Sequence, residues 1–210
     1  MIISTRAIVI NYLRYGDNSL IVDLYTESLG RQTVFVKGAF SKRSSIRSAF
    51  FQQLHLLETC LHHRVNRQMQ RLSDVQMYYT FANIPYNPVK SGIVMFIAEV
   101  LYKTLREEEA NAELFEFLAG SVQALDLNES GTENFHLVFL VHFSRYLGFY
   151  LKYDDLLQQF CGVSFEGLKE LSLSHQQRNC LIESILDIYS ANMANFGTMK
   201  SYNIVKNFND

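Results

Sequence analysis

The sequence lacks the features that mark most enzyme classes and membrane proteins. Its 210 residues contain no tryptophan, only two prolines and only three cysteines. The longest apolar stretch, residues 92–101, is interrupted by Glu99 and is too short to span a bilayer. The phosphate-binding loop G-x-x-x-x-G-K-[ST] is absent, as are G-x-G-x-x-G, H-E-x-x-H and G-x-S-x-G. We therefore expect no catalytic activity, no cofactor and no association with a membrane.

The carboxylates and cysteines form no recognisable catalytic or metal-binding group. Asp154 and Asp155 are adjacent and point to different faces, so an enzyme that uses them, or Glu99, is a weak alternative. Cys60, His62 and His63 offer three ligands within four residues but no second pair completes a tetrahedron, and the looser set Cys161, His175 and Cys180 contains no C-x-x-C pair. An odd number of widely spaced cysteines, without a secretory signal at the N-terminus, predicts reduced thiols, no metal and a cytoplasmic location.

Charge is distributed unevenly along the chain. Residues 1–80 contain ten Lys and Arg against five Asp and Glu, a net charge of +5. Residues 81–210 contain nine against sixteen, a net charge of −7. A basic half joined to an acidic half is typical of a protein in which one part meets a polyanion.

The basic half has the patterns of a small β-barrel. Five segments alternate or are rich in β-branched and apolar residues, which predicts strands at 5–13, 20–26, 31–37, 49–60 and 65–77. Residues 15–19 predict a turn, and residues 38–47 form a long basic loop. We expect an OB-fold β-barrel over residues 1–80.

The acidic half has helical periodicity. Apolar residues recur at helical spacing within 93–105, 114–125, 135–147 and 181–188. Pro88 suits a first helical turn, and Ser174 is a plausible N-cap before the last of these segments. These patterns predict an all-α helical domain over residues 81–210 and an α+β chain as a whole.

The basic half also carries the candidate binding residues. Single-stranded nucleic acid is held by cations along its backbone and by aromatic rings on which bases stack. Strand 31–37 places Arg31, Phe35 and Lys37 on one predicted face, and Tyr25 could lie beside them. Alternatively, Phe35 and Tyr25 pack beneath a helix and the charges form an ordinary solvated surface. The complete predicted DNA-binding set is Arg14, Arg31, Phe35, Lys37, Lys42, Arg43, Arg47, Arg67 and Arg71.

The order of several short motifs resembles the RecO family of bacterial recombination mediators, which act in the RecF pathway. The segments that carry the resemblance are residues 14–22, 25–27, 30–31 and 36–38 with Lys42, then 98–101 with Glu107, 111–115 with Phe117 and Leu118, and the FSRYLGF segment at 143–149. The resemblance covers residues 1–150. It implies an OB-fold that binds single- and double-stranded DNA, anneals strands and helps load recombinase on DNA coated by single-strand-binding protein (SSB).

The resemblance also implies two protein partners, RecR and the acidic C-terminal tail of SSB. A tail that ends in phenylalanine needs an apolar pocket with a cation at its rim, which selects Lys103, Arg106, Arg145 and Lys152 as candidates. The chain departs from the family in lacking two C-x-x-C pairs, so we expect no zinc, and in lacking a proline after LGF. The alternative function is a protein–protein adaptor whose barrel binds a protein instead of DNA.

Overall fold

Five strands form a closed barrel in the first part of the chain. The computed structural model describes residues 1–41, 44–106, 109–151, 160 and 162–207. The strands are β1 (Ile2–Tyr15), β2 (Ser19–Thr26), β3 (Gly30–Val36), β4 (Leu56–His62) and β5 (Gln70–Tyr79). They follow the order β1-β2-β3-β5-β4, with β3 and β5 parallel and the other pairs antiparallel. This five-stranded barrel confirms the predicted OB-fold.

Alternation in β2 and β3 builds the inside of the barrel. Every second residue of β3 is buried, while Arg31, Thr33 and Phe35 point outward and are partly exposed. The buried aliphatic residues of the two strands join Phe51 in one apolar core; they are Leu20, Val22, Leu24, Val34 and Val36. The β1–β2 turn that we expected at 15–19 is present, and Gly16 takes the left-handed conformation there, with φ of +60°.

The fourth and fifth strands are shorter than predicted. Residues 48–51 form a 3-10 turn that places Phe51 in the core, and β4 begins only at Leu56. Between them Leu54 has φ of +60°, and its N–H donates to the carbonyl of Val9 at 2.7 Å. A residue in this conformation interrupts an extended strand. Likewise, residues 63–69 form a loop, and β5 begins at Gln70.

The described residues that follow the barrel strands are mainly helical, which confirms the second part of the predicted fold. The α-helices of the described residues are α1 (Pro88–Thr104), α2 (Ala112–Leu127), α3 (Phe135–Tyr146), α4 (His175–Asn192) and α5 (Tyr202–Lys206). Pro88 begins α1, as expected. Ser174 caps α4 in a capping box, because its hydroxyl accepts from the N–H of Gln177 while the Gln177 side chain accepts from the N–H of Ser174. Within the described residues, no helix is long and apolar enough to cross a membrane.

Contacts divide the chain into two compact units. The barrel unit comprises Met1–Thr80 and Leu105–Ala119, and the helical unit comprises Phe81–Thr104 and Gly120–Asp210. The first half of α2 therefore belongs with the barrel, where the ring of Phe115 stacks on Tyr25 with centroids 6.5 Å apart. The division of the chain into domains at residue 80 stays a prediction.

A buried carboxylate organises the start of the helical unit. Asp126 on α2 accepts hydrogen bonds from the backbone N–H groups of Ala82, Asn83 and Ile84, at 2.8 to 2.9 Å. Its own carbonyl accepts from the Lys90 ammonium at 2.7 Å. Burial lowers the pKa of Lys90, although Asp126 partly offsets this effect. The turn that precedes α1 is thus tied to α2 by polar contacts, since buried backbone groups must be paired.

Candidate nucleic-acid interface

One row of outward-facing side chains crosses the barrel from β1 to β4. Strand register places Leu13 opposite Ile21 and Ile21 opposite Phe35. Phe35 in turn pairs with Arg71 across the parallel β3–β5 contact, and Arg71 pairs with His62. Phe35 and Arg71, two of the predicted binding residues, are therefore neighbours. The row includes β2 and β3, whose outer face is the usual nucleic-acid surface of OB-folds.

Two exposed aromatic rings lie beside this row. Tyr15, at the end of β1, is 58% exposed and meets Phe35 edge to face, with centroids 5.8 Å apart. Phe40, just after β3, is 41% exposed and lies under the Arg14 guanidinium at 4.8 Å. Rings with an open face can stack on bases. Sequence reasoning missed both Tyr15 and Phe40, although aromatic residues next to turns that end strands were a usable signal.

The cations of the barrel unit fall into two groups according to their partners. Arg6 is paired with Glu27 and Glu116, and its hydrogen bonds lower the pKa of the Glu27 carboxyl. Arg31 lies 3.4 Å from Asp23 and donates to the Leu105 carbonyl at 2.8 Å, with only 17% of its side chain exposed. Both side chains therefore help to hold the barrel unit together.

The second group has no acidic partner among the residues that the structure describes. Among residues 1–41, 44–106 and the other described ranges, no hydrogen bond or ion pair engages the side chains of Lys37, Arg47, Arg64, Arg67 and Arg71. Arg14 donates only to the backbone carbonyl of Asp17, at 3.1 Å. Cations without a carboxylate partner remain available to phosphates, because binding breaks no existing ion pair.

Two concave sites accompany these cations. The first, about 440 Å³, is lined by residues that include Phe40 and Arg47. The N–H of Ser48 donates to the Ala39 carbonyl at 2.9 Å and closes the loop that carries both. The second site, about 210 Å³, is lined by His62, Arg64, Arg67, Met69, Gln70 and Arg71. We refer to it below as the hairpin pocket.

The structure corrects the interpretation of one aromatic residue, and two of the predicted cations fall outside the described residues. Tyr25 is 3% exposed and packs on Phe115, so the stacking role considered for it is wrong and its role as a packing residue beneath a helix is correct. Phe35 is partly exposed and stays a candidate. Lys42 and Arg43 lie outside the described residues.

The structure describes three of the four candidate partner-binding residues, Lys103, Arg106 and Arg145. Lys103 donates to the carbonyls of Phe196 and Thr198 at 2.6 and 3.0 Å, which ties it to the interior of its own unit. Arg145 is exposed in the last turn of α3, next to the exposed Tyr146. Arg106 is exposed and belongs to the barrel unit. Lys152 lies outside the described residues.

The histidines and cysteines of the described residues form no metal-binding group. No group of three or more His, Cys, Asp or Glu side chains in the described part of the chain is arranged to hold a metal. Cys60 and Cys180 are free thiols, and Cys161 is outside the described residues. That the chain binds no metal stays a prediction.

The strand order and the helical second half define an OB-fold protein with an appended helical domain, and family models match both parts. The model described as "Recombination protein O N terminal" matches residues 1–81, and "Recombination protein O C terminal" matches residues 85–155. The chain is 32% identical to the DNA repair protein RecO of Phocaeicola vulgatus over 98% of both chains. The RecO of Christiangramia forsetii is likewise 32% identical over 98% of both chains, and that of Bacteroides fragilis is 41% identical over 74% of this chain and 64% of its own length.

This chain belongs to the RecO family of DNA repair proteins. The resemblance drawn from its short motifs is confirmed.

Proposed function

We propose that the chain is a non-catalytic mediator of DNA repair and homologous recombination that binds single- and double-stranded DNA. In this proposal it anneals complementary strands and helps load recombinase on DNA coated by SSB. The observation that best supports this proposal is that some barrel cations have acidic partners and others have none among the described residues. Arg6 and Arg31 are paired, whereas Lys37, Arg47 and Arg71 have no acidic partner among the described residues and share a surface with exposed rings.

The same surface accounts for binding and for annealing. Cations around the barrel neutralise phosphates and release counterions, which lowers the repulsion between two strands brought together. Tyr15, Phe35 and Phe40 offer ring faces or edges to unpaired bases. Contacts of both kinds are independent of sequence, as a mediator that acts on any damaged DNA requires.

The salt dependence of DNA binding tests the proposal. Fluorescence anisotropy with a labelled single strand, over a series of salt concentrations, compares wild type with the double variant Lys37→Ala, Arg47→Ala. Each lost contact with a single strand should reduce the slope of log K against log salt by about 0.7, so the pair should reduce it by about 1.4. The matched control Lys169→Ala, Lys200→Ala removes two exposed cations of the helical unit and should leave the slope unchanged.

Two results would contradict the assignment of this surface. The first is a folded Lys37, Arg47 variant with the affinity and slope of wild type. The second is a wild type whose weak binding does not vary with salt, which would instead favour an adaptor whose barrel binds a protein.

Stacking provides a second, independent test. Substituting Tyr15→Leu keeps an apolar side chain but removes the ring, and stacking contributes about 1–3 kcal/mol per base. We expect affinity for a single strand to fall at least about fivefold while affinity for duplex DNA, whose bases are already stacked, changes little. Equal losses for both substrates would indicate that Tyr15 acts through the fold of the barrel.

The acidic SSB tail is proposed as a partner of the helical unit, and RecR as a second protein partner. The tail requires a cation next to apolar surface, and Arg145 is exposed beside Tyr146, with the 72% exposed Tyr150 close in sequence. Isothermal titration of a tail peptide should show binding to wild type and to the control Lys169→Ala, but weaker binding to Arg145→Ala. A peptide that binds all three proteins equally would exclude Arg145, and one that binds none would exclude the partner.

A further inference from the structure

The hairpin pocket is a concave site between the end of β4 and the start of β5. Gln70 lines the pocket, is 4% exposed and hydrogen-bonds the backbone of the preceding loop through its side-chain amide. Its oxygen accepts from the N–H of Arg64 at 2.9 Å, and its nitrogen donates to the carbonyls of Arg64 and Arg67 at 3.0 and 2.9 Å. One buried side chain thus holds the backbone that carries two arginines at the pocket.

The ionisable side chains that line the pocket are all basic. Arg64, Arg67 and Arg71 contribute three guanidinium groups, and His62 adds an imidazole. None of the six described residues that line the pocket is acidic. No side chain within the described ranges pairs with any of the three guanidinium groups. Such a site favours a compact anion with several acceptor oxygens, because guanidinium groups bind phosphate oxygens in bidentate pairs.

The size and charge of the pocket distinguish two kinds of phosphate. A phosphodiester within a strand carries one negative charge and two free oxygens, whereas a phosphomonoester carries about 1.5 to 2 charges and three free oxygens. Three arginines that line one small pocket match the second better. A volume of about 210 Å³ also suits a single small group more than a continuous strand.

We propose that the hairpin pocket binds the terminal phosphomonoester of a DNA strand, an inference that rests on the proposed DNA binding. Arg71 links the pocket to the rest of the interface, because it pairs with Phe35 across the β3–β5 contact. A strand whose terminal phosphate occupies the pocket then passes Phe35 and reaches the exposed ring of Tyr15. The barrel thereby distinguishes a phosphorylated strand end from the interior of a strand.

The test uses three single strands of about eight nucleotides, a length that one OB-fold accommodates. They have the same sequence and carry a 5′-phosphate, a 3′-phosphate or hydroxyl groups at both ends, with a fluorophore at an internal position. We expect one phosphorylated strand to bind the full-length protein about five- to tenfold more tightly than the hydroxyl strand. The end that gives the gain identifies the polarity of the bound strand.

Two double variants test which residues bind the terminal phosphate. In Arg64→Ala, Arg67→Ala the gain from phosphorylation should vanish, and alanine retains the backbone groups that Gln70 binds. In Lys37→Ala, Arg47→Ala the affinity for all three strands should fall together while the gain remains.

Three outcomes overturn the proposal, and they differ from one another. If wild type binds all three strands equally, the chain does not recognise ends although it binds DNA. If the gain persists without Arg64 and Arg67, the end is bound elsewhere. If none of the strands binds at any salt concentration, the proposed function fails together with this inference.

Discussion

Replacing Gln70 by alanine tests whether one buried side chain holds the loop between β4 and β5. The amide makes three hydrogen bonds to the loop backbone, at 2.9, 3.0 and 2.9 Å. At about 0.5–1.5 kcal/mol net for each bond, the three contribute roughly 1.5–4.5 kcal/mol. The released backbone groups lie in an exposed loop and regain water, so we expect a loss in the lower part of this range, about 2 kcal/mol.

The loss should take the form of local opening of the loop. Hydrogen exchange followed by NMR reports this directly at the N–H of Arg64, which Gln70 binds in the native protein. A loss of about 2 kcal/mol corresponds to exchange about 30-fold faster. Gln68→Ala is the matched control, because Gln68 is an exposed residue of the same loop with no hydrogen bond to the other described residues. It should leave the exchange rate unchanged.

A second readout connects the loop to binding. Since Gln70 positions the backbone of Arg64 and Arg67, Gln70→Ala should also reduce the gain in affinity that a terminal phosphate provides. The reasoning is refuted if the Arg64 amide exchanges at the same rate in wild type and in Gln70→Ala, because the loop would then be held by other contacts.

Three further predictions concern stability and metal content. Asp126→Ala should lower the free energy of unfolding of the helical unit by about 3 kcal/mol, since three backbone N–H groups of residues 82–84 lose their acceptor. Urea unfolding measures this loss, and a value below about 1 kcal/mol would contradict the prediction. Burial acts to raise the pKa of Glu99, but hydrogen bonds from Ser201 and the N–H of Lys200 lower it below its usual range. A carboxyl group with a lowered pKa stabilises the fold at pH values above its unfolded pKa of 4.5, and this stabilisation is lost as the pH falls through the folded pKa. Glu99→Gln should therefore lower the free energy of unfolding most at neutral pH and least in acid. A difference that does not depend on pH would argue against this sign. Elemental analysis of protein purified without chelator should find no stoichiometric zinc, and zinc that disappears when Cys161 and Cys180 are replaced would show the opposite.

The sequence predicted the barrel where local patterns decide the structure. Alternation of apolar and polar residues over 20–26 and 31–37 is a period-two signal, and both segments are strands of the barrel. The bounds of β4 and β5 were wrong because residues 49–55 and 65–69 are strand-like in composition. Their backbone is instead set by tertiary and side-chain contacts, the distant carbonyl of Val9 for Leu54 and the nearby amide of Gln70 for the loop that begins at Arg64.

The candidate site was predictable in its charge and not in its geometry. Lys37, Arg47 and Arg71 were selected because basic residues cluster in the first 80 residues. Nothing in the composition distinguishes them from Arg31, whose guanidinium meets Asp23 and the distant carbonyl of Leu105. Tyr15 and Phe40 were overlooked for a related reason, since the exposure of a ring depends on which elements cover it.

The residues alone determined the fold class, the family and the basic charge of the first 80 residues, because periodicity, motif order and composition are local properties. Tertiary structure decided which cations are already paired and which aromatic rings are covered. It also decided that Gln70 and three arginines form one pocket. The pairing of cations and the covering of rings depend on contacts between residues far apart in the chain, which form when the strands close into a barrel and the first half of α2 packs on it. The pocket joins residues close in sequence, and the pairing of His62 with Arg71 across β4 and β5 brings its two sides together.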